Sequence, residues 1–170
     1  MDIRLDPQTQ MKYLTKMKKL IELDYRILND FEAFNKVNTN WNIGSYLNTF
    51  FDINAALAFS KLYFPDFVDI QNCVILDFRY NEDLFKQWFT ELNGEVSQVE
   101  KMCNLYELKD FFHINNNIND ENKKNKVLDV FGTILKRSWE VNLKLLYPER
   151  SFKVDLFEEY ESKFITLYSL

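Results

Sequence analysis

Two pairs of short strand-like runs constrain the fold of this chain most. Each run holds four to six residues, is rich in β-branched and aromatic side chains, and is bounded by polar residues. The runs cover residues 67–70 and 73–78 in the middle of the chain, and residues 152–156 and 164–168 near its end. Gln71-Asn72 separates the first pair, and a charged turn over residues 158–162 separates the second. Each pair therefore predicts an antiparallel hairpin.

Helical periodicity occupies the segments before and between these hairpins. The predicted helices cover residues 7 to about 30 (extending toward 36), 45–62, 82–93, part of 95–114, and 120 to about 147. Asp6, Asn81 and Asp120 are suitable N-caps, and Pro65 is a suitable stop. Helices and hairpins that cluster, rather than alternate strictly, are typical of α+β proteins. We expect an antiparallel sheet of about four strands packed with several helices, including a long N-terminal helix and a long helix in the C-terminal half.

Length and composition predict one globular domain over residues 1–170. A chain of this size buries about 70% of the surface that its unfolded form exposes, so its core needs neither disulfides nor a metal. Apolar residues make up 46% of the chain, which excludes intrinsic disorder. No signal peptide or membrane-spanning run is visible, and Cys73 and Cys103 form no CxxC motif. We therefore expect a cytoplasmic protein with free, buried thiols.

The motifs of the common catalytic and cofactor-binding sites are missing. Three separated glycines, Gly44, Gly94 and Gly132, cannot build a phosphate-binding loop. One histidine and two distant cysteines do not supply a zinc site. The Asn-rich run at residues 115–124 lacks the residue order of an EF-hand. The sequence therefore predicts no cofactor and no metal.

Two isolated residues are candidates for acid–base chemistry. His113 lies in an apolar patch, which is more typical of a packing residue with one hydrogen bond than of a catalyst. Asp77 lies in the most apolar strand-like run, where an inward orientation would raise its pKa and make it a candidate general acid. Arg79 would lie on the same face of that strand, so an Asp77–Arg79 ion pair is the favoured interpretation.

Aromatic residues are abundant, with 16 Phe, 9 Tyr and 3 Trp. Seven of them fall between residues 41 and 64, and most are expected in the core because each aromatic side chain buries a large area. Trp41 stands between two asparagines, where a core position is favoured but an exposed ring would be a binding hot spot. Glu158, Glu159 and Glu161 are typical of a solvated hairpin tip. Together with Trp41 they are the candidate partner-binding residues.

Acidic balance and scarce catalytic groups favour a non-catalytic module that binds another protein. A net charge of −5 argues against nucleic acid and anionic membranes as partners. An antitoxin- or immunity-type protein that neutralises a basic partner is one version of this hypothesis. The alternative is a small-molecule-binding protein or a carboxylate-dependent enzyme, with a pocket between sheet and helices. A homo-oligomer that uses the aromatic-rich segment as a symmetric interface is a third reading.

Overall fold

The computed structural model describes residues 19–37, 40–113, 118 and 120–170. Within these ranges the chain forms six α-helices and five strands, and the strands make two separate antiparallel sheets. The helices are α1 (Phe31–Val37), α2 (Ile43–Phe50), α3 (Ile53–Tyr63), α4 (Glu82–Glu91), α5 (Val96–Cys103) and α6 (Glu121–Leu146). The strands are β1 (Phe67–Ile70), β2 (Cys73–Leu76), β3 (Tyr106–Glu107), β4 (Phe152–Glu159) and β5 (Ser162–Ser169). The predicted α+β class is confirmed.

Both predicted hairpins are present. β1 pairs with β2 from Ile70↔Cys73 outward, and β4 pairs with β5 from Glu159↔Ser162 outward. The central residues of both turns have positive φ, as the two-residue turns that match strand twist require. The hairpins do not merge into one four-stranded sheet. β1 and β2 form one sheet, whereas the second has the order β3-β5-β4 and includes a two-residue strand too short for sequence periodicity to reveal.

The core lies on both faces of β2, whose four residues are all buried. Because successive side chains of a strand point to opposite faces, Val74 and Leu76 join one hydrophobic cluster, and Cys73 and Ile75 join another. The first cluster contains residues of α6, β4 and β5, and the second contains residues of α4 and α5. An uninterrupted apolar run is therefore expected at this strand, as in sheets that are covered on both sides.

The long helix α6 joins the first cluster to the end of α3. Asp120 caps its first turn by accepting hydrogen bonds from the backbone N–H groups of Asn122 and Lys123, as predicted. The ring of Trp139 is fully buried, and its Nε1 donates to the carbonyl oxygen of Leu62 at 2.9 Å. The helix axis can approach the sheet closely because Gly132 has no Cβ. A Cβ there would lie 2.7 Å from a methyl group of Leu108.

Helix α5 connects the two sheets through a buried amide. Asn104, which follows the helix, accepts from the backbone N–H of Leu76 at 2.8 Å. Its amide nitrogen donates to the carbonyl oxygens of Val74 and Leu167, at 2.9 and 3.1 Å. One fully buried side chain thus satisfies backbone groups of β2 and β5 at positions where one edge of each strand has no neighbouring strand.

A buried carboxylate makes a second link between the same strands. Glu100 is fully buried and accepts from the backbone N–H of Val74 at 2.8 Å. It also accepts from the backbone N–H and the hydroxyl of Ser169. Arg150 lies 3.3 Å from the same carboxylate and also donates to the carbonyl oxygen of Asn72 in the first hairpin turn. The charge of Glu100 is therefore paired and fully hydrogen-bonded, as a buried carboxylate must be.

The predicted N-terminal helix is wrong over its described part. Its first turns, up to residue 18, lie outside the described residues. Residues 19–30 contain only a 3-10 turn at Tyr25–Ile27, and α1 begins after it. Asp24 accepts from the backbone N–H of Arg26, and Asp30 has a φ of 58°. Both features interrupt a continuous helix despite the favourable spacing of apolar residues.

The single helix predicted over residues 45–62 is two helices. The break falls at Phe51 and Asp52, where the side chain of Asp52 accepts from the backbone N–H of Ala55 and caps α3. An aspartate favours a cap over a helix interior because its carboxylate competes for backbone donors. Asn81 caps α4 in the same way, at the predicted position.

Candidate protein-binding surfaces

Helices α2 and α3 present large apolar side chains to solvent. Their exposed fractions run from 44% to 75%, although residues of these types are usually buried in a folded domain. We call this set the α2–α3 surface; it consists of Trp41, Leu47, Phe50, Phe51, Ile53, Leu57 and Phe64. Apolar exposure grouped in one region marks an interaction site more often than scattered exposure does.

A groove of about 400 Å³ runs between α2 and α3. Its walls are almost entirely apolar, and they consist of Leu47, Phe51, Asp52, Ile53, Ala55, Ala56, Phe59 and Tyr63. Burial raises the pKa of the Tyr63 hydroxyl above its usual value, so this group stays protonated at neutral pH. The carboxylate of Asp52 is already engaged as the cap of α3. The groove therefore suits an apolar occupant.

A cluster of aromatic rings packs against the α2 part of the α2–α3 surface. Tyr46 is buried, and its hydroxyl donates to the carbonyl oxygen of Asn29 at 2.7 Å. Burial, together with the nearby Asp30 carboxylate, raises the pKa of that hydroxyl. Phe34 lies 5.6 Å from the ring of Tyr46 and 5.8 Å from that of Phe50, in edge-on arrangements. The α2 part of the surface is thus held by packed rings.

Trp41 lies at the edge of this aromatic cluster. Its ring centroid is 4.9 Å from that of Phe34, and 44% of the residue is exposed. The core position favoured for Trp41 is therefore wrong, because its packing on Phe34 of α1 leaves much of the residue exposed. The exposed face is available for contact with another molecule.

The α2–α3 surface has few charges: Asp52 caps α3, and Lys61, exposed in the last turn of α3, pairs with Asp66. Residues 37–60 contain one charged residue, Asp52, in a chain that is 28% charged. Interface cores are depleted of charged residues and enriched in aromatic ones. The depletion could be read from the sequence, and it is the signal that would have identified this surface without a structure.

The tip of the second hairpin is the other candidate surface. Glu158 and Glu159 end β4, Glu161 lies in the turn, and all three are exposed. The turn residue Tyr160 is 92% exposed, and sequence reasoning missed it as a candidate. Tyr160 and Glu161 have φ values of 49° and 62°, a left-handed conformation that side-chain-bearing residues rarely adopt.

The structure does not unite the two sets of predicted residues. Trp41 packs on Phe34, whereas Glu158 pairs across the hairpin with Lys163, which forms an ion pair with Asp129 on α6. No described contact joins Trp41 to the hairpin tip. The four predicted partner-binding residues therefore belong to two surfaces.

The expectations for Asp77 and His113 are wrong. Asp77 lies outside β2, at the start of a 3-10 turn, and is exposed because the strand ends one residue earlier. It forms no ion pair with Arg79 among the described residues; instead the Arg79 guanidinium lies over the Tyr106 ring, 5.1 Å from its centroid. His113 is exposed at the end of another 3-10 turn.

Both cysteines are free and buried. Burial raises the thiol pKa of each to about 11, with the Glu100 carboxylate adding to the effect at Cys73. At neutral pH neither thiol forms an appreciable amount of the nucleophilic thiolate. Cys73 and Cys103 are therefore packing residues of the second hydrophobic cluster.

The part of the chain that the structure describes contains no group of three or more His, Cys, Asp or Glu side chains placed to hold a metal ion. None of the helices in these ranges combines the length and the apolar character needed to cross a bilayer. In comparisons with known proteins, no family model matches the chain, and no curated protein or solved structure is significantly similar to it.

Proposed function

We propose that this protein is a non-catalytic module that acts by binding another protein. The observation that carries the proposal is the α2–α3 surface, where seven large apolar residues are 44–75% exposed. Leaving so many apolar side chains in water is unfavourable. Covering them with a partner stabilises the complex by about 25 cal/mol for each Å² of apolar area removed from water.

The acidic tip of the second hairpin supports the proposal that the partner is basic, as it would be for an antitoxin- or immunity-type protein. Three exposed glutamates lie within two positions of the exposed Tyr160, so the tip offers a lysine or arginine both carboxylates and an aromatic ring. Complementary charge speeds encounter and selects among partners more than it adds affinity. The two free thiols are consistent with our further proposal that the module works in the reducing cytoplasm.

Site-specific cross-linking in the native cell tests the proposal. A photo-reactive residue replaces Ile53 on the α2–α3 surface in one variant and Leu145 on α6 in the control. The two positions are matched, because Ile53 is 75% exposed and Leu145 is 73% exposed. We expect a discrete cross-linked protein from position 53 and none from position 145. Equal or absent cross-linking at both positions would remove the basis for the proposal.

The charge requirement has a test of its own. Replacing Glu158, Glu159 and Glu161 together by glutamine removes three charges and keeps the size of each side chain. If the partner is basic, its association rate falls in the triple variant and loses most of its dependence on salt. An association rate at low salt that equals the wild-type rate would contradict the antitoxin- or immunity-type version. It would leave the broader proposal of protein binding in place.

A small-molecule-binding function is the second candidate. The groove between α2 and α3, at about 400 Å³, falls within the volume range of ligand pockets. A smaller cavity of about 200 Å³ lies between α6 and the second sheet, with Asp129, Glu158 and Lys163 in its lining. That second cavity supports the alternative of a carboxylate-dependent enzyme with a pocket between sheet and helices. Specific binding of a polar metabolite that is lost in Glu158→Gln would favour this candidate over protein binding.

A further inference from the structure

Helix α6 carries a second apolar stripe beside the one that faces the core. The core-facing residues belong to the first hydrophobic cluster; they are Leu128, Phe131, Leu135, Trp139 and Leu143. Val130, Ile134 and Val141 lie at helical spacing on an adjacent face, and all three are half-buried. Neither hydrophobic cluster of the described chain contains them. An apolar stripe on a helix normally packs against another element, so this face is incompletely covered.

A groove of about 330 Å³ lies along this stripe. Val130, Thr133 and Ile134 form its α6 side, and Leu20 and Ile21 form the opposite side. Leu20 is 63% exposed, so its side chain leaves the groove open. An apolar cavity of about 150 Å³ is large enough to bind benzene. The groove therefore has room for roughly two large apolar side chains.

The path of the chain leads residues 1–18 to this groove. Leu20 lines it, and the described chain begins one residue earlier. Farther along the chain, the side chain of Asn29 accepts a hydrogen bond from Lys123, near the start of α6, at 3.0 Å. From Asn29 back to Leu20, the chain thus runs along α6 from its first turns toward its middle. Val141 lies farther along the helix in the same direction.

The sequence of residues 7–18 suits an apolar groove beside a helix. Met11, Leu14 and Met17 recur every three residues, which predicts one apolar face if the segment is helical. Because this segment directly precedes the groove-lining Leu20, its effective concentration at the groove is about millimolar or higher. A separate apolar partner must compete with a segment that is already tethered there.

The charges at the groove also favour this segment. Residues 7–18 contain three lysines and no acidic residue. Glu22 and Asp129 both line the groove. Asp129 pairs with Lys163 of β5, and Arg137, the arginine of the lining, pairs with a glutamate of α6. Glu22 makes no ion pair among the described residues, so it is the carboxylate that a lysine of the segment can meet.

We propose that residues 7–18 pack onto α6 and fill this groove with the side chains of their apolar face. The groove shares no lining residue with the one between α2 and α3. The proposal therefore goes beyond the proposed function, and the α2–α3 surface stays open to another protein. In this arrangement Leu14, at the centre of the apolar face, lies against Ile134 or its neighbours on the stripe.

Photo-cross-linking in the full chain tests the proposal. A photo-reactive residue replaces Leu14 in one variant and Lys12 in the control, and these positions are about 200° apart around a helix. From position 14 we expect a cross-link within the same chain, which peptide mass spectrometry locates between residues 130 and 141 of α6. From position 12 the same product should be several-fold weaker.

A substitution in the groove tests the contact from the other side. Ile134→Gln places an amide among apolar side chains, where it has no assigned partner, and should lower the yield of the cross-link from position 14 several-fold. Asn125→Gln introduces the same residue at an exposed position of α6 outside the groove and should leave the yield unchanged. Thermal unfolding followed by circular dichroism checks that both variants fold.

Each outcome decides the proposal. A cross-link from position 14 to α6 that Ile134→Gln weakens and Asn125→Gln does not supports it. A cross-link from position 14 to another element, to a second chain or to nothing overturns it. Equal yields from positions 12 and 14 overturn it as well, because the apolar face would then not be the one in contact. A folded Ile134→Gln variant with the wild-type yield also overturns it, because the groove would then not hold the segment.

Discussion

The chain has two regions that use aromatic and aliphatic residues in opposite ways. Residues 65–170 contain fourteen of the fifteen buried hydrophobic residues of the described chain. Residues 19–64 contain only one of them, Tyr46, although this segment is rich in Phe, Leu and Ile. The first region buries its apolar residues between sheets and helices, whereas the second displays them. Composition alone therefore does not tell a buried core from an exposed apolar surface.

Polar groups show the reverse distribution. In the core region, Glu100 and Asn104 are fully buried and bind the backbone of two strands. On the α2–α3 surface, Asp52 is exposed and serves only as a helix cap. Stability thus depends in part on a few buried polar residues, and the proposed binding depends on exposed apolar ones. The substitutions below test that contrast, in order of decreasing effect on stability.

Glu100→Ala should have the largest effect, with a loss of about 3–5 kcal/mol in the free energy of unfolding. The substitution leaves the backbone N–H groups of Val74 and Ser169 without their acceptor and Arg150 without its counter-charge. Urea denaturation measures the change. Glu95→Ala is the control, because Glu95 is exposed and makes no side-chain cap bond at the start of the same helix. Similar losses in the two variants would contradict the structural role of Glu100.

Asn104→Ala should lower the free energy of unfolding by about 2–4 kcal/mol. It removes three hydrogen bonds to buried backbone groups, and each unsatisfied group costs about 1–3 kcal/mol unless water reaches it. Asn104→Asp keeps the acceptor for Leu76 but loses both donors, so it should not restore stability. Hydrogen exchange at the Leu76 amide reports on the same site. Wild-type protection of that amide in Asn104→Ala would contradict the prediction.

Replacing Tyr160-Glu161 by Asn-Gly should raise the free energy of unfolding by about 1 kcal/mol. Asn and Gly adopt positive φ at lower cost than Tyr and Glu do. The same change should weaken binding of a basic partner, because it removes the exposed ring and one carboxylate. Thermal unfolding and a titration with the partner measure the two effects. A less stable variant would mean that the turn residues contribute contacts that outweigh their strain.

Leu57→Glu should have the smallest effect on the stability of the monomer, within about 0.5 kcal/mol. The side chain is 63% exposed, so the glutamate meets water rather than packed neighbours. Denaturant unfolding at a concentration low enough to exclude association measures this value. A large loss would show that Leu57 belongs to the core, and the contrast between the two regions would then fail.

Local sequence signals predicted the hairpins and the helix starts well. Residues 71–72 and the N-caps Asn81 and Asp120 behave as expected, because each feature depends on neighbours in sequence. The boundaries of the helices near the N-terminus were predicted poorly. There, the caps formed by Asp24 and Asp52 override an apolar spacing that suits longer helices.

Features that depend on distant contacts were not predictable from the sequence. In the sequence, Glu100 and Asn104 have the polar character of surface residues in or next to a short helix. They are buried because the helix packs against β2 and β5, whose backbone groups they bind. The exposure of the α2–α3 surface likewise depends on which other described residues pack against it. Glu158, Glu159 and Glu161 are at the tip of a hairpin as expected, and their role as partner-binding residues stays a prediction.

The buried amide of Asn104 has a consequence for the order in which the chain folds. Each hairpin closes over a two-residue turn, whereas Asn104 binds carbonyl groups 30 and 63 positions away along the chain. Contacts between residues so far apart cost more loop entropy and are expected to form after the hairpins. Substituting Asn104 should therefore accelerate unfolding and leave the refolding rate almost unchanged. The side chain would then join the β1–β2 and β4–β5 hairpins only after each of them has formed.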